Sequence, residues 1–364
     1  MIMIQTILVV NALNGVLPLQ LRKKYPSAKI TCAEVFSFYK DHLSRIGFEV
    51  VDWEGLKDVK FDLVIGNPPY QNPDSPRNNA LWPQFVNTSF NELLADGGYL
   101  AMITPSSWMN PSGEEIKRSE EYNTGLIRKN ILAKHKTIVV DVSDNLKKHF
   151  TVGSTFSYYV VKKEVTHNSL TTIKTSLGDL QLNLSEVKFL PAILTPVSFT
   201  LTKKFFSKPV IGVTNMTGEG FHSSHSKRVV KDKLPNFIYP LADTSAKYLK
   251  GIYLWSSEQH PYQNTKKVII SESGYLGPMY DPGNLGTTEH AFIIPVNSAA
   301  QGKKIVTQLN SRLYRCIMTI CRWGSANHKY IIKNLPSCEG ITDAEIYQYF
   351  DLNAEEISFV ESMT

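Results

Sequence analysis

The sequence predicts an α/β fold, a doubly wound and mostly parallel sheet, followed by a second, mixed α+β domain. Three observations predict it. Short apolar runs alternate with amphipathic segments from residue 6 to about residue 164. Near Glu164 the pattern changes to shorter apolar runs separated by Ser, Thr, Gly and Asn. Charge is also divided unevenly: residues 1–164 carry 19 Lys+Arg against 17 Asp+Glu, residues 165–339 carry 20 against 10, and residues 340–364 carry none against 6. A chain of 364 residues is long enough for two cores. The expected division is therefore a first domain over 1–164 and a second over 165–364, the latter ending in an acidic helical tail from about residue 340.

The elements of the first domain follow in order. Residues 6–13 form an apolar run that ends at the turn "NALNG", and "LPLQLRKKYP" has helical spacing with a terminating proline. "KITCAEV" is a short strand, "FSFYKDHLSRIGF" an amphipathic helix closed by Gly47, "FEVVDW" a third strand and "FDLVIG" a fourth. "LWPQFVNTSFNELLADGGYLAMITP" reads as a helix stopped by Gly97 and Gly98, then a fifth strand. "KTIVVDVS" and "STFSYYVVKKE" add two strands, expected to pair as a hairpin at one edge. In the second domain, "AAQGKKIVTQLNSRLYRCIMTICRW" reads as a helix and "TDAEIYQYFDLNAEEISFVES" as one or two acidic helices.

Some functions are disfavoured early. The opening "MIMIQTILVVNALNGVL" lacks a basic leader and is interrupted by Gln5, Asn11 and Asn14, so it fits neither a signal peptide nor a membrane span. A cytoplasmic protein without membrane contact is expected. Cys32, Cys316, Cys321 and Cys338 form no CxxC pair and have no histidines at zinc-finger spacing. They are expected to be reduced core thiols, and no metal is expected.

The stretch that carries chemistry is "FDLVIGNPPYQ", residues 61–71. A buried strand runs into one amide, two prolines and an aromatic ring. The exocyclic amine of a nucleobase is a poor nucleophile because its lone pair is delocalised into the ring. To alkylate it, a site must hold both N–H groups with acceptors that favour a pyramidal nitrogen and stabilise its developing charge. The Asn67 side-chain oxygen and the Pro68 carbonyl suit that task. Pro68 and Pro69 fix φ and pre-organise the turn, and Tyr70 would stack on the base. Such a base must leave the duplex at a cost of roughly a few kcal/mol, of which stacking returns about 1–3 kcal/mol.

This stretch resembles the catalytic motif of the N6-adenine DNA methyltransferases of restriction-modification systems and phages. The resemblance covers about residues 1–164, and the acidic end of the chain also resembles the tail of several large members. It implies a Rossmann-like class I methyltransferase domain, S-adenosylmethionine as cofactor, and transfer of its methyl group to N6 of a flipped-out adenine in double-stranded DNA. It further implies that Asn67, Pro68, Pro69 and Tyr70 are catalytic, with Asn67 also near the cofactor. Glu34 in "TCAEVF" stands where the family binds the cofactor ribose, and Asp52 in "VVDWEG" where it meets the cofactor adenine. Phe156 in "GSTFSYYVV" matches an aromatic residue that packs on the flipped base.

The loop "VVNALNGVL" departs from the family pattern. It offers Asn11 at the place of an acidic residue, Asn14 beside it, one glycine, Gly15, and Leu17 near the place of a second glycine. Asn11, Asn14 and Gly15 are the expected cofactor-loop residues.

The basic excess of 165–339 marks the expected DNA-binding, target-recognition domain. In "GFHSSHSKRVVKDK", residues 220–233, His222, His225, Lys227 and Arg228 are the candidates for base and phosphate contact. "TKKFF" and "RWGSANHKY" mix basic and aromatic residues in the same way. A cognate restriction endonuclease is a partner that the resemblance admits. Two rivals stand beside this reading: an RNA adenine or protein glutamine methyltransferase, and a catalytically inactive DNA-binding or decoy subunit.

Overall fold

The computed structural model describes residues 4–56, 59–71, 80–111, 124–143, 155–214, 220–324 and 326–364. The polar loop at 72–79 and the first two residues of "GSTFSYYVV" lie outside them. The chain divides into two units, Met1–Leu190 and Pro191–Thr364.

The first unit is built on strands β1 (Thr6–Val10), β2 (Lys29–Ala33), β3 (Glu49–Val51), β4 (Phe61–Gly66), β5 (Leu94–Pro105), β6 (His135–Asp141), β7 (Phe156–Val165), β8 (Thr171–Thr175) and β9 (Gly178–Leu182). They form one sheet in the order β3-β2-β1-β4-β5-β7-β6-β8-β9. The neighbours from β3 to β5 all run parallel. β7 is antiparallel to both β5 and β6. β1 and β2 are buried along almost their whole length, as a parallel sheet covered on both faces requires.

Helices α1 (Val16–Lys24) and α2 (Ser37–Arg45) contribute Leu21 and Leu43 to a core with Ile7, Val9, Ile30 and Cys32. The helix read before the fifth strand, α3 (Trp82–Thr88), continues through wider turns at Ser89–Leu93. β5 then begins at Leu94, ahead of the glycines expected to separate helix from strand.

Two details depart from the sequence reading. β6 and β7 do pair antiparallel, yet β7 is inserted between β5 and β6 rather than lying at an edge. The sheet also continues past Glu164: β8 pairs parallel with β6 and antiparallel with β9. The first unit therefore ends at Leu190 instead of residue 164, because two further strands complete its sheet.

The second unit is a mixed α+β body. Strands β10 (Val229–Val230), β11 (Tyr239–Ala242), β12 (Leu254–Ser256) and β15 (Gly286–Thr287) form a four-stranded sheet. Strands β13 (Lys267–Ser271), β14 (Met279–Asp281) and β16 (Ala291–Pro295) form a three-stranded one. Lys267 is fully buried beside Asp281 at 2.6 Å. Its ammonium also donates to the carbonyls of Tyr262 and Thr265, and the Asp281 carboxylate accepts from the amides of Gly283, Asn284 and Leu285. Such a buried pair persists only when its remaining groups are hydrogen-bonded in this way.

The long segment read as one helix is two, Ala299–Leu309 and Arg312–Ile320. The acidic tail is two helices, Asp343–Tyr349 and Ala354–Ser362, each started by a reciprocal cap, Thr342 with Glu345 and Asn353 with Glu356. All four cysteines are free and buried. Among the described residues no helix is long and apolar enough to cross a membrane, and no group of three or more His, Cys, Asp or Glu is placed to hold a metal ion.

Candidate active site

β1 has β2 on one side and β4 on the other, so the strand order reverses there. The carboxyl ends of strands at such a point form the crevice where open α/β sheets bind ligands. Asn11 follows β1 and Asn67 follows β4.

The two strand ends approach closely. A β-carbon on Gly66 would lie 2.1 Å from the carbonyl oxygen of Val10 and 2.8 Å from its Cβ, so this position admits only glycine. The Asn67 amide donates to the Val10 carbonyl at 3.3 Å. Asn11 Nδ2 donates to the Asn67 carbonyl at 2.8 Å. The turn then passes through buried Pro68 and half-buried Pro69 to Tyr70, whose hydroxyl donates to Asn67 Oδ1 at 2.5 Å. Leu81 donates its amide to the Tyr70 carbonyl at 3.0 Å, closing the far side of the turn.

The Tyr70 ring packs against Phe156 with centroids 5.3 Å apart and planes inclined by 35°. Phe156 opens β7 opposite Pro105 of β5. The next residue, Ser157, accepts a 2.7 Å hydrogen bond from the indole of fully buried Trp108, which fixes the start of the strand. Burial pushes the Tyr70 phenol up to about 12, against a smaller lowering by its bond to Asn67. The ring is therefore neutral throughout the ordinary range.

The loop after β1 is sharply folded, with positive φ at Asn11 (57°), Leu13 (49°) and Gly15 (81°). For leucine such a φ is strained, and Glu34 holds it. Glu34 is 2% exposed, and its carboxylate accepts from the amides of Leu13 at 2.7 Å, Val35 at 2.8 Å and Phe36 at 3.1 Å. Gly15 caps α1, where a β-carbon would sit 2.8 Å from Ile46 Cδ1. Asn14 is exposed, with Oδ1 accepting from the Val16 amide at 3.3 Å. Asp52 also faces solvent and pairs with Lys40 of α2. The sequence candidates thus fall into a tight group, Asn11, Asn67, Pro68, Tyr70 and Phe156, braced by Glu34, with Asn14 and Asp52 on the surface.

In the second unit, His222, His225, Lys227 and Arg228 lie on the loop leading to β10. Ser223 anchors that loop to Glu289, its amide at 2.8 Å from Oε2 and its hydroxyl at 2.7 Å from Oε1. His222 Nδ1 lies 3.2 Å from Glu289 Oε1, and the His222 and His225 rings pack at 4.7 Å. His225 and Lys227 are exposed, while Arg228 pairs with Glu258 at 3.1 Å.

His290 joins two carboxylates, with Nε2 3.1 Å from Glu289 and Nδ1 3.3 Å from Glu272. Glu272 in turn faces Lys329 at 3.8 Å, so the loop before β10 and "RWGSANHKY" meet on one acidic hub. Sequence reading missed Glu289, Glu272 and His290, which have no local motif and are far along the chain from the loop they hold. "TKKFF" lies in and just beyond the helix Pro196–Phe205, where Lys204 reaches the buried Glu356 at 2.6 Å; that lysine serves packing of the tail.

Residues 19–136 match the family described as the Eco57I restriction-modification methylase. The match runs from within α1 to the start of β6 and includes the turn with Asn67 to Tyr70. No curated protein matches the chain. Among solved structures, a predicted O-methyltransferase from Agrobacterium tumefaciens aligns at 14% identity and TM-score 0.32 over 47% of this chain and 78% of that one. A type I restriction-modification assembly aligns at 12% identity and TM-score 0.35 over 46% of this chain and 40% of that one. A methyltransferase from Pyrococcus furiosus aligns at 15% identity and TM-score 0.28 over 45% and 78%. The sheet of the first unit is doubly wound and Rossmann-like, on the strength of its own strand order.

Proposed function

We propose, from a doubly wound sheet and from the match of residues 19–136 to restriction-modification methylases, that the protein transfers the methyl group of S-adenosylmethionine to N6 of an adenine flipped out of double-stranded DNA. The observation that carries the reading is the turn after β4, with an amide oxygen, a proline carbonyl and an aromatic pair gathered at the reversal of strand order.

The residues present fit the cofactor. Asn11 Oδ1 is buried at the same point and has no hydrogen-bond partner, which leaves an acceptor for a donor group. Bound there, S-adenosylmethionine supplies an electrophilic methyl on a sulfonium. Asn67 Oδ1 and the Pro68 carbonyl accept the two N6–H hydrogens of the adenine, so the nitrogen lone pair is freed from the ring and turned outward. An amide oxygen has two lone pairs, so Asn67 accepts the amine beside the Tyr70 hydroxyl. Tyr70, steadied by Phe156, covers the face of the base. The methyl–sulfur bond would break as the N6–methyl bond formed, leaving a neutral thioether, and the proton then lost from N6 would pass to water.

The second unit serves as the target-recognition part in this reading. His222 and His225 meet base edges, and Lys227 and Arg228 meet phosphates, with a phosphate replacing Glu258 beside Arg228. A cognate endonuclease would share the same DNA sequence.

The test is transfer of labelled methyl to unmethylated duplex DNA, with nucleoside analysis, beside Asn67→Ala. The parent is expected to produce N6-methyladenine and the variant none. Methylated RNA or protein with unmodified DNA would change the acceptor. DNA binding without S-adenosylmethionine binding or transfer would favour the inactive subunit, a reading that draws on the single glycine and the Asn11 of the first loop.

A further inference from the structure

Asn11 stands where the family resemblance expects an acidic residue, and it makes a contact that a carboxylate cannot. Its Nδ2 donates to the main-chain carbonyl of Asn67, 56 positions away, at 2.8 Å. A carbonyl only accepts, so the nitrogen end of the carboxamide must face it, and the orientation of the amide follows from chemistry. Oδ1 then points elsewhere, buried and without a partner.

The backbone restricts the residue as well. At φ 57°, Asn, Asp and Gly are the residues most readily accepted. Of these, only asparagine brings a side-chain donor at neutral pH.

The contact completes a clamp. Asn67 is tied to the end of β1 through its own amide, which reaches Val10 at 3.3 Å, and through its carbonyl, which Asn11 holds. Asn11 is itself anchored by its amide to the Ala33 carbonyl of β2 at 2.8 Å. Pro68 has a fixed φ, and Pro69 after it confines Pro68 ψ to the extended range, so fixing the peptide between Asn67 and Pro68 also orients the Pro68 carbonyl.

We propose that Asn11 is a positioning residue for methyl transfer: its Nδ2 locks the Asn67–Pro68 peptide and so sets the spacing between Asn67 Oδ1 and the Pro68 carbonyl. The role of that spacing rests on the adenine reading above; the lock itself does not. The loop that faces the methyl donor and the turn that faces the methyl acceptor are thereby one mechanical unit.

The decisive variant is Asn11→Asp, which keeps size and backbone preference, removes the donor and sets an anionic oxygen against a carbonyl. Displaced catalytic groups cost on the order of a hundredfold, so kcat is expected to fall about ten- to a hundredfold while KM for DNA moves less than about threefold. Activity of this variant is expected to recover as pH falls, because the protonated carboxyl again offers a donor to the Asn67 carbonyl. Asn11→Gly, free to adopt the same φ, is expected to lose kcat with no such recovery.

Parent-like kcat in Asn11→Asp, or a loss independent of pH, overturns the proposal. The lock is also read without turnover, from the carbonyl resonance of Asn67 in protein labelled with carbon-13 at asparagine carbonyls. That resonance is expected to move in Asn11→Asp, and an unmoved resonance overturns the lock. A parent that transfers no methyl while its Asn67 resonance responds to the substitution overturns the functional reading alone.

Discussion

Tyr70 brings a ring and a hydroxyl to the same turn, and substitution separates them. Tyr70→Phe keeps the contact with Phe156 and loses the bond to Asn67 Oδ1. A hydrogen bond of this kind has a net worth of about 0.5–1.5 kcal/mol, so kcat/KM is expected to fall by about tenfold or less. On the proposed function, Tyr70→Ala removes the ring that would stack on the flipped base, a surface worth about 1–3 kcal/mol per base. Its loss is expected to exceed that of Tyr70→Phe, and 2-aminopurine at the target position, bright when unstacked, reports the flipped base directly. Equal effects of the two substitutions would remove the stacking role. The neighbouring Gly66→Ala forces a β-carbon against the Val10 main chain and is expected to cost about 1–3 kcal/mol or more, seen as a lowered thermal midpoint. The quartet from Asn67 to Tyr70 was legible in the sequence because its parts are contiguous. The Asn11 clamp was not, because its partner is 56 positions away and a turn asparagine is ordinarily explained by local conformation alone.

At the scale of elements, the legible parts were the buried ones. β1 carries a continuous apolar run from Ile7 to Val10, and β4 one from Leu63 to Ile65, because both faces are largely covered. β8 (TTIKT) and β9 (GDLQL) bury at most alternate side chains at the sheet's edge, so polar residues interrupt them and their sequence resembles loop. That is why the first unit read as ending 26 residues too early, at Glu164 instead of Leu190. The loop before β10 stands out in the sequence by its charge, whereas the carboxylate that shapes it, Glu289, does not. Glu289 has a lowered pKa: burial works to raise it, and the hydroxyl and amide bonds from Ser223, the bond from its own amide and the charge of His290 together outweigh that effect. Glu289→Gln is expected to speed hydrogen exchange at Ser223 and Ser226 and to weaken DNA binding without changing the fold. Lys227→Ala, on the same loop, is expected to weaken binding to all sequences alike and to reduce the slope of log K against log salt by about one. Unchanged salt dependence would place Lys227 off the DNA.

For the molecule as a whole, the buried titratable groups set a window of pH in which it is stable. On the acid side, burial lowers His260 and His328 to about 4, with a smaller contribution at His260 from the charge of Lys267. An unfolded imidazole titrates near 6.5, so between about 6.5 and 4 the unfolded chain binds protons that the folded one refuses. Stability from these two groups is therefore full above about 6.5 and declines as pH falls towards 4. Both lie in the second unit, and His135 of the first, also lowered mainly by burial, is shifted less, so acid is expected to loosen the second unit first, measured as accelerated hydrogen exchange in β13 and β16 before β1 and β4. On the alkaline side, burial raises Tyr70 and Tyr347 to about 12, and Tyr158, Tyr159, Tyr248, Tyr275 and Tyr314 are raised as well. An unfolded phenol ionises near 10, so their contribution is full below about 10 and is lost as pH rises towards 12. These tyrosines belong to both units, so no part of the protein is exempt. Tyrosinate absorbance is expected to lag behind that of free tyrosine above pH about 10 and then to rise steeply, together with loss of helical circular dichroism. A gradual rise with intact dichroism would mean that the rings reach solvent in the native state, which would also undo the argument that Tyr70 stays neutral beside Asn67.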